Sequence, residues 1–154
     1  YNNFYDTTNT SKSLLAGLLK IETEDVMWLN GDAVFEKELL PKIIQCSQSC
    51  MAVNTNSVGE EEIKYNIFDD GNIKGVSKTT FPALGEAVGI NKVMTADLPL
   101  FKANLEKCAD QDYFEKALEL SIQDGMKIMP VNINKYLCME IDFEDDLEQI
   151  NKQL

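Results

Sequence analysis

Acidic residues end two hydrophobic segments of this chain, and their spacing could hold a divalent metal ion. The first segment, DVMWLN, runs into Gly31 and Asp32, and the second, LCMEID, ends with Glu140 and Asp142. In open α/β sheets, ligands bind at the carboxyl ends of strands, where these carboxylates would lie. Glu140 and Asp142 are two residues apart, so on an extended strand they point to the same face. Two or three such oxygens, with water and substrate phosphates, make a Mg²⁺ site.

The same acids also have a structural explanation, because Asp is a favoured helix N-cap and acids stabilise the first turn of a helix. Asp32 precedes the segment FEKELLPKII, and Asp142 precedes a closing helix in FEDDLEQINKQL. Taken singly, capping is the more common role of such residues. The metal hypothesis therefore depends on whether the two segments lie side by side in the sheet.

Composition excludes several other kinds of chemistry. The chain of 154 residues has a formal net charge of −12, contains no His, and has only Lys among its 14 basic residues. Without His there is no Ser-His or Cys-His pair and no imidazole zinc ligand. Without Arg there is no guanidinium fork for phosphate, and an acidic surface does not bind nucleic acid. The remaining chemistry uses carboxylates, lysines, hydroxyls, backbone amides, or a metal held by oxygen.

The sequence also indicates the compartment in which the protein is found. No stretch approaches the apolar length of a membrane span, so we expect no membrane partner. The four cysteines are scattered and do not form a zinc motif. Free thiols are typical of a reducing compartment, and we therefore expect a cytoplasmic protein.

The elements that would position the acids alternate between helix and strand. We predict a helix over SKSLLAGLLKIE, a strand over DVMWLN, a helix near FEKELLPKIIQCSQS and a strand over CMAVNTN. This cadence is typical of a parallel sheet with crossover helices. Further along we predict a hairpin around Asp70-Gly71, a strand in GEAVGINKVMTA, two helices of which the second ends at Gly125, two short strands, and a closing helix.

Four segments, YDTTNTSKSL, LNGDAVF, GEAVGI and MEIDFEDDLEQI, occur in an order and spacing that match one enzyme family. With them the chain resembles the nucleotidyltransferases of the phosphocholine cytidylyltransferase and sugar-1-phosphate nucleotidyltransferase group. The resemblance covers essentially the whole chain. It implies an α/β fold: a three-layer α/β/α mixed sheet of the glycosyltransferase-A (nucleotide-diphospho-sugar transferase) type. It also implies a reaction in which an acceptor phosphate attacks the α-phosphorus of a nucleoside triphosphate and releases pyrophosphate.

The resemblance also implies roles for individual residues. Asp32 and Asp142 occupy the positions that bind Mg²⁺ and serve catalysis, with Glu140 as a third metal ligand. Three residues stand at substrate-binding positions: Lys78, Glu86 and Asn9. Lys78 is equally explained as a solvated residue at a strand end, which is the more common role of such a lysine.

The substrates are less well defined by the sequence. TTNTSKSL and EIDFEDDL resemble the cytidylyltransferase branch most, which favours CTP with phosphocholine or a related aminoalkyl phosphonate as the acceptor. A sugar 1-phosphate is the other acceptor class. Choline recognition needs an aromatic cage, for which Phe81, Tyr113 and Tyr136 are available, although each fits ordinary packing as well.

One part of the family pattern has no counterpart in this sequence. The family opens with a strand and a basic, glycine-rich loop that holds the triphosphate through backbone amides. We therefore expect residues 1–154 to form a single domain equivalent to the C-terminal two thirds of a nucleotidyltransferase domain, incomplete at its N-terminal side. The parent domain would be a Mg²⁺-dependent enzyme, and the isolated chain would be inactive.

Two further expectations follow from an incomplete sheet. The strand in DVMWLN would lack neighbours, and unpaired strand edges recruit other chains. We therefore expect a homo-oligomer, or association with the missing N-terminal segment. The alternative function, from a different class, is a non-catalytic remnant or a binding or oligomerisation module that keeps the fold.

Overall fold

The fold is an α/β arrangement of short elements, seen in a computed structural model that describes residues 1–56, 58–59, 62–141 and 143–153. Helices within these ranges are α1 (Thr10–Leu18), α2 (Leu39–Ile44), α3 (Leu98–Lys107), α4 (Phe114–Gln123) and α5 (Glu144–Gln153). Strands are β1 (Val26–Leu29), β2 (Ala33–Phe35), β3 (Cys50–Asn54), β4 (Lys64–Ile67), β5 (Ile73–Ser77), β6 (Gly85–Val93), β7 (Met129–Asn132) and β8 (Cys138–Glu140). The alternation of helix and strand predicted for the first 55 residues is therefore present.

The main sheet is mixed, as the family resemblance implied. Its order is β5-β4-β6-β3-β7, and β1 also pairs with β6. Only β3 and β7 pair in parallel among the described strands; the other pairs are antiparallel. The strands β1 and β3 run in the same direction but are not neighbours, because the long strand β6 lies between them. The parallel pairing predicted for the first two strands is therefore wrong: both pair with β6, which runs antiparallel to them.

The sheet has a hydrophobic core on each face. Along β3 the buried residues alternate: Met51 and Val53 belong to the cluster under α1, α3 and α4, while Cys50 and Ala52 belong to the cluster under α2. A strand covered on both faces needs apolar residues at every position. This explains the continuous run CMAV and confirms three layers.

A second, two-stranded sheet corrects one expectation. We considered Asp32 as the N-cap of the following helix, but α2 begins only at Leu39, behind Glu38, and β2 lies between. Pro41 is the third residue of α2. Proline is tolerated in the first turn of a helix, where its missing N–H needs no partner, so the helix starts late. The preceding residues are then free to pair with β8, with Ala33 opposite Glu140.

Other predicted features are present as well. The hairpin of β4 and β5 turns at Gly71, which has a φ of +85°, and α4 is followed by Gly125. The four cysteines are free, and Cys50 and Cys108 are buried. Within the part of the chain that the structure describes, no helix has the length and apolar character needed to cross a membrane.

Candidate functional site

A cavity of about 620 Å³ opens between β1, the central strand β6 and the first turn of α4. The turn after β1 and the end of β8 also line it, so both acidic segments meet there. Its lining includes Asp32, Lys78, Gly89, Glu115 and Glu140. The sequence-based expectation that two distant acidic segments share one site is consistent with this arrangement.

Hydrogen bonds connect the turn after β1 to the end of β8. Asn30 Nδ2 donates to Glu140 Oε1 at 2.7 Å, and the Asn30 backbone N–H donates to the carbonyl of Gly89 at 2.9 Å. The backbone N–H of Ile141 donates to the carbonyl of Asp32 at 3.0 Å. The two segments meet because β8 pairs with β2, the strand after Asp32, and not with β1 itself.

Gly89 makes this close approach possible. Its φ is +66°, a backbone conformation that residues with a side chain rarely adopt. A Cβ at this position would lie 2.5 Å from Asn30 Nδ2 and 2.8 Å from Glu140 Oε1. The glycine of GEAVGI therefore leaves the space in which Asn30 and Glu140 make their hydrogen bond.

The predicted metal ligands are only partly within the described residues. Asp32 is exposed and Glu140 is half-buried, and both line the cavity. Asp142 lies outside the described residues. Within the described ranges, no group of three or more His, Cys, Asp or Glu side chains is placed to hold a metal. The donors available are carboxylate oxygens, which suit a hard cation such as Mg²⁺.

The three predicted substrate-binding residues have different surroundings. Lys78 lines the cavity. Asn9 caps α1 by accepting a hydrogen bond from the backbone N–H of Thr10 at 2.8 Å. Glu86, on β6, accepts a hydrogen bond from Asn54 Nδ2 at 3.2 Å. Neither Asn9 nor Glu86 is among the described residues that line the cavity.

Glu86 is nevertheless electrostatically coupled to the site. The pKa of its carboxyl is raised to about 7, chiefly by burial and also by the nearby charges of Glu62 and Glu140, against the hydrogen bond from Asn54, which lowers it. The interior beside the cavity is therefore unfavourable for negative charge unless a cation is supplied.

Glu115, at the start of α4, is a cavity residue that the sequence interpretation missed. Only 8% of it is exposed, and its Oε2 has no hydrogen-bond partner among the described residues. Burial raises the pKa of this carboxyl to about 7, with a smaller contribution from the charge of Glu140. One signal was available: Glu115 is three residues before Leu118 and seven before Ile122, so it lies on the apolar face of its helix.

Aromatic side chains form another part of the wall. Trp28 stacks on Phe101 with ring centroids 5.3 Å apart and meets Phe114 edge-on at 5.6 Å. Of the three aromatics considered for a choline cage, Tyr113 lines the cavity. Phe81 is 90% exposed, and Tyr136 packs against the core cluster under α2.

No protein-family model matches this sequence, and no curated protein matches it either. Solved structures with a similar fold include the inositol-1-phosphate CTP transferase from T. maritima, with a TM-score of 0.79, 17% identity and 95% of this chain covered. The CTP:phosphocholine cytidylyltransferase from Streptococcus pneumoniae has a TM-score of 0.74, 13% identity and 99% coverage. The UTP-bound UGPase from Acinetobacter baumannii has a TM-score of 0.68, 10% identity and 93% coverage.

This chain spans less than two thirds of each of those structures: 61%, 66% and 55% of their respective lengths. At 10–17% identity, the likeness concerns the fold. It agrees with the mixed three-layer sheet implied by the sequence motifs. The chain has the fold of these nucleotidyltransferases over the part of their length that it matches.

Proposed function

We propose that this chain is part of a nucleotidyltransferase that transfers a nucleotidyl group from a nucleoside triphosphate to a small phosphorylated acceptor, releasing pyrophosphate. The observation that carries the proposal is the junction of two distant acidic segments, through Asn30 and Glu140, at the mouth of a cavity large enough for a small ligand. The fold likeness supports the same reaction class.

In this proposal Asp32, Glu140 and Asp142 would hold Mg²⁺. The bound ion would offset the charge of the nucleotide and acceptor phosphates. Lys78, which lines the cavity, would bind the acceptor phosphate as a point charge. Glu86 and Asn9 would act from outside the lining, by adjusting the charge beside the cavity and by fixing the start of α1.

The substrates we favour are CTP and an aminoalkyl phosphate such as phosphocholine. The motifs of the chain resemble the cytidylyltransferase branch, and the names of two of the similar structures include CTP. Sugar 1-phosphates and related polyol phosphates form the other acceptor class. A reaction that uses these nucleotides would take place in the cytoplasm.

The direct test is pyrophosphate release with Mg²⁺, four nucleoside triphosphates and a panel of acceptors. It should be run on residues 1–154 and on the chain together with any residues that its gene encodes before Tyr1. Asp32→Asn should reduce release by about 100-fold, because it removes a proposed metal ligand. Asp69→Asn, in the exposed turn after β4, is the matched control and should leave the rate unchanged. Equal rates in both variants would reject the proposed role of Asp32.

A second candidate function is a binding or oligomerisation module without catalysis. It is favoured by β1, which pairs with β6 alone among the described strands. The side chains of β1 are largely covered: Val26 is buried and Trp28 packs on Phe101, while Leu29 is 37% exposed. The available surface is thus the backbone edge of β1, to which a second copy or an N-terminal segment would add a strand.

Light scattering on the purified chain tests this second function. A dimer at micromolar concentration, dissociated by replacing Met27 with proline, would support pairing through the β1 edge. A monodisperse monomer at high micromolar concentration would reject self-association through this edge.

A further inference from the structure

Glu115 is a buried acid that the proposed reaction has not yet used. Its side chain lines the 620 Å³ cavity and also a smaller neighbouring cavity of about 170 Å³. It is 8% exposed, and no hydrogen-bond donor reaches its Oε2 among the described residues. Buried polar atoms in native proteins are normally paired, because an unpaired one loses its hydration without compensation. An unpaired carboxylate oxygen beside two cavities therefore points to a ligand group.

Helix stabilisation does not explain this burial. Glu115 is in the first turn of α4, where a carboxylate is stabilised by the helix dipole and by its own backbone N–H. An exposed acid in the same turn would gain that interaction without being desolvated. The helix therefore explains why an acid is tolerated here but not why it is buried at a cavity wall.

The charge around the cavity indicates what kind of group would pair with Glu115. The described lining contains four carboxylates, those of Asp32, Glu62, Glu115 and Glu140, and one lysine, Lys78. Glu140 is close enough to raise the pKa of Glu115. A ligand group beside Glu115 is therefore favoured if it carries a positive charge. The neighbouring ring of Tyr113 also lines the cavity and favours a cation.

We propose that Glu115 determines acceptor specificity by binding a protonated amine at the end of the acceptor away from its phosphate. This inference rests on the proposed function and deepens it. A primary or secondary ammonium group would donate an N–H to Oε2, whereas a quaternary ammonium group has no N–H to donate. Among the aminoalkyl acceptors favoured above, this contact selects those with a primary or secondary amine over phosphocholine.

The test is calorimetric titration of the chain, with Mg²⁺ present, by three probes of similar size: O-phosphoethanolamine, phosphocholine and 2-hydroxyethyl phosphate. Wild type should bind O-phosphoethanolamine at least about 10-fold more tightly than 2-hydroxyethyl phosphate, because charge-assisted hydrogen bonds are strong where water is excluded. Phosphocholine should bind with intermediate affinity, through charge alone.

Glu115→Gln should remove the preference for the amine and leave the affinity for 2-hydroxyethyl phosphate unchanged. Glu115→Asp should retain part of the preference, because the charge remains. Glu106→Gln, on the exposed side of α3, is the matched control and should behave as wild type. Circular dichroism on each variant would verify the fold.

Two results would overturn the inference: wild type without a preference for the amine, or a preference that persists in Glu115→Gln. Equal affinity of wild type for the three probes would mean that a buried water satisfies Oε2. Pyrophosphate release measured in parallel separates the two proposals. Release with neutral acceptors alone would retain the proposed function and reject the role of Glu115.

Discussion

Two carboxylates of the cavity lining have opposite surroundings. Glu140 accepts a 2.7 Å hydrogen bond from Asn30, and Gly89 leaves the space for that contact. Glu115 is more deeply buried, yet its Oε2 has no partner among the described residues. One carboxylate is held in place by a neighbouring side chain, and the other is desolvated with one oxygen unpaired among the described residues.

The difference between Glu140 and Glu115 corresponds to two roles that a side chain can have in a site: keeping a fixed orientation and recognising a ligand. A group that must keep its orientation before the ligand arrives needs contacts from the protein, as Glu140 has. A group that recognises a ligand can remain unpaired, and the free energy lost on desolvation is recovered when the ligand binds. Substitutions that affect the two carboxylates should therefore change stability in opposite directions.

The largest effect is expected from Gly89→Ala, which should destabilise the fold by about 4 kcal/mol. The new methyl group would require a left-handed backbone conformation and would displace Asn30 or Glu140. Urea unfolding would measure the loss. Gly31→Ala is the control, since a Cβ there has no atom within 4 Å, and its effect should stay within about 0.5 kcal/mol. Similar losses in both variants would show that the contact between Asn30 and Glu140 does not require glycine at position 89.

Glu115→Gln should have the opposite sign and depend on pH. Burial raises the pKa of Glu115 from its ordinary value of 4.5 to about 7, so the folded chain binds this proton more tightly than the unfolded chain. The carboxyl therefore costs no stability below about pH 4.5, costs progressively more up to about pH 7, and reaches a constant penalty above that. The variant should be more stable than wild type by about 3 kcal/mol at pH 8 and equally stable at pH 4.5.

The check on this prediction is the difference in unfolding free energy between variant and wild type at both pH values. Glu106→Gln should show no such difference, because Glu106 is exposed in the native chain. A gain of the same size at both pH values would contradict the desolvation argument, and a loss at pH 8 would mean that Glu115 has a stabilising partner.

Asn30→Ala should destabilise the chain by about 1–2 kcal/mol, because it removes the hydrogen bond from Asn30 to the half-buried Glu140. Asn151→Ala, an exposed position on α5, provides the control for the same change of residue type. If neither substitution changes the free energy of unfolding in urea, the hydrogen bond between Asn30 and Glu140 does not stabilise the fold.

The smallest effect is expected at Glu86, which is desolvated like Glu115 and hydrogen-bonded like Glu140. Its pKa is raised to about 7, chiefly by burial, although Asn54 donates a hydrogen bond to it. Glu86 is only half-buried, so solvent screens its charge, and Glu86→Gln should be more stable than wild type at pH 8 by only about 1 kcal/mol, again with no difference at pH 4.5. A gain as large as that of Glu115→Gln would show that solvent does not screen this carboxylate.

Much of the fold follows from local patterns in the sequence. The continuous apolar run CMAV predicts a strand buried on both faces, and Asp70-Gly71 predicts a hairpin turn because glycine adopts positive φ. Both predictions are confirmed. Pro41 is a local reason for the late start of α2, but the strand β2 before it was not predicted. Three residues are too few to show a period, and β2 exists because a distant strand pairs with it.

Only some residues of the candidate site could be predicted from the sequence. Asp32 and Glu140 follow hydrophobic runs, which marks them as residues at strand ends. Glu115 does not follow a hydrophobic run; its one signal is its place on the apolar face of α4, and an acid in the first turn of a helix is ordinary. Its importance depends on the orientation of α4 against the sheet, and that orientation results from tertiary packing of Phe114 and Leu118.

The pairing of β2 with β8 has a consequence for the local stability of the molecule. Asn30 and Glu140 are 110 positions apart in the chain, and a contact between such distant residues carries a loop-closure cost that local hairpins avoid. The main sheet does not include β8, so we expect the amides of β8 to exchange with solvent faster than those of the main sheet. The acidic part of the cavity would then be its least stable part.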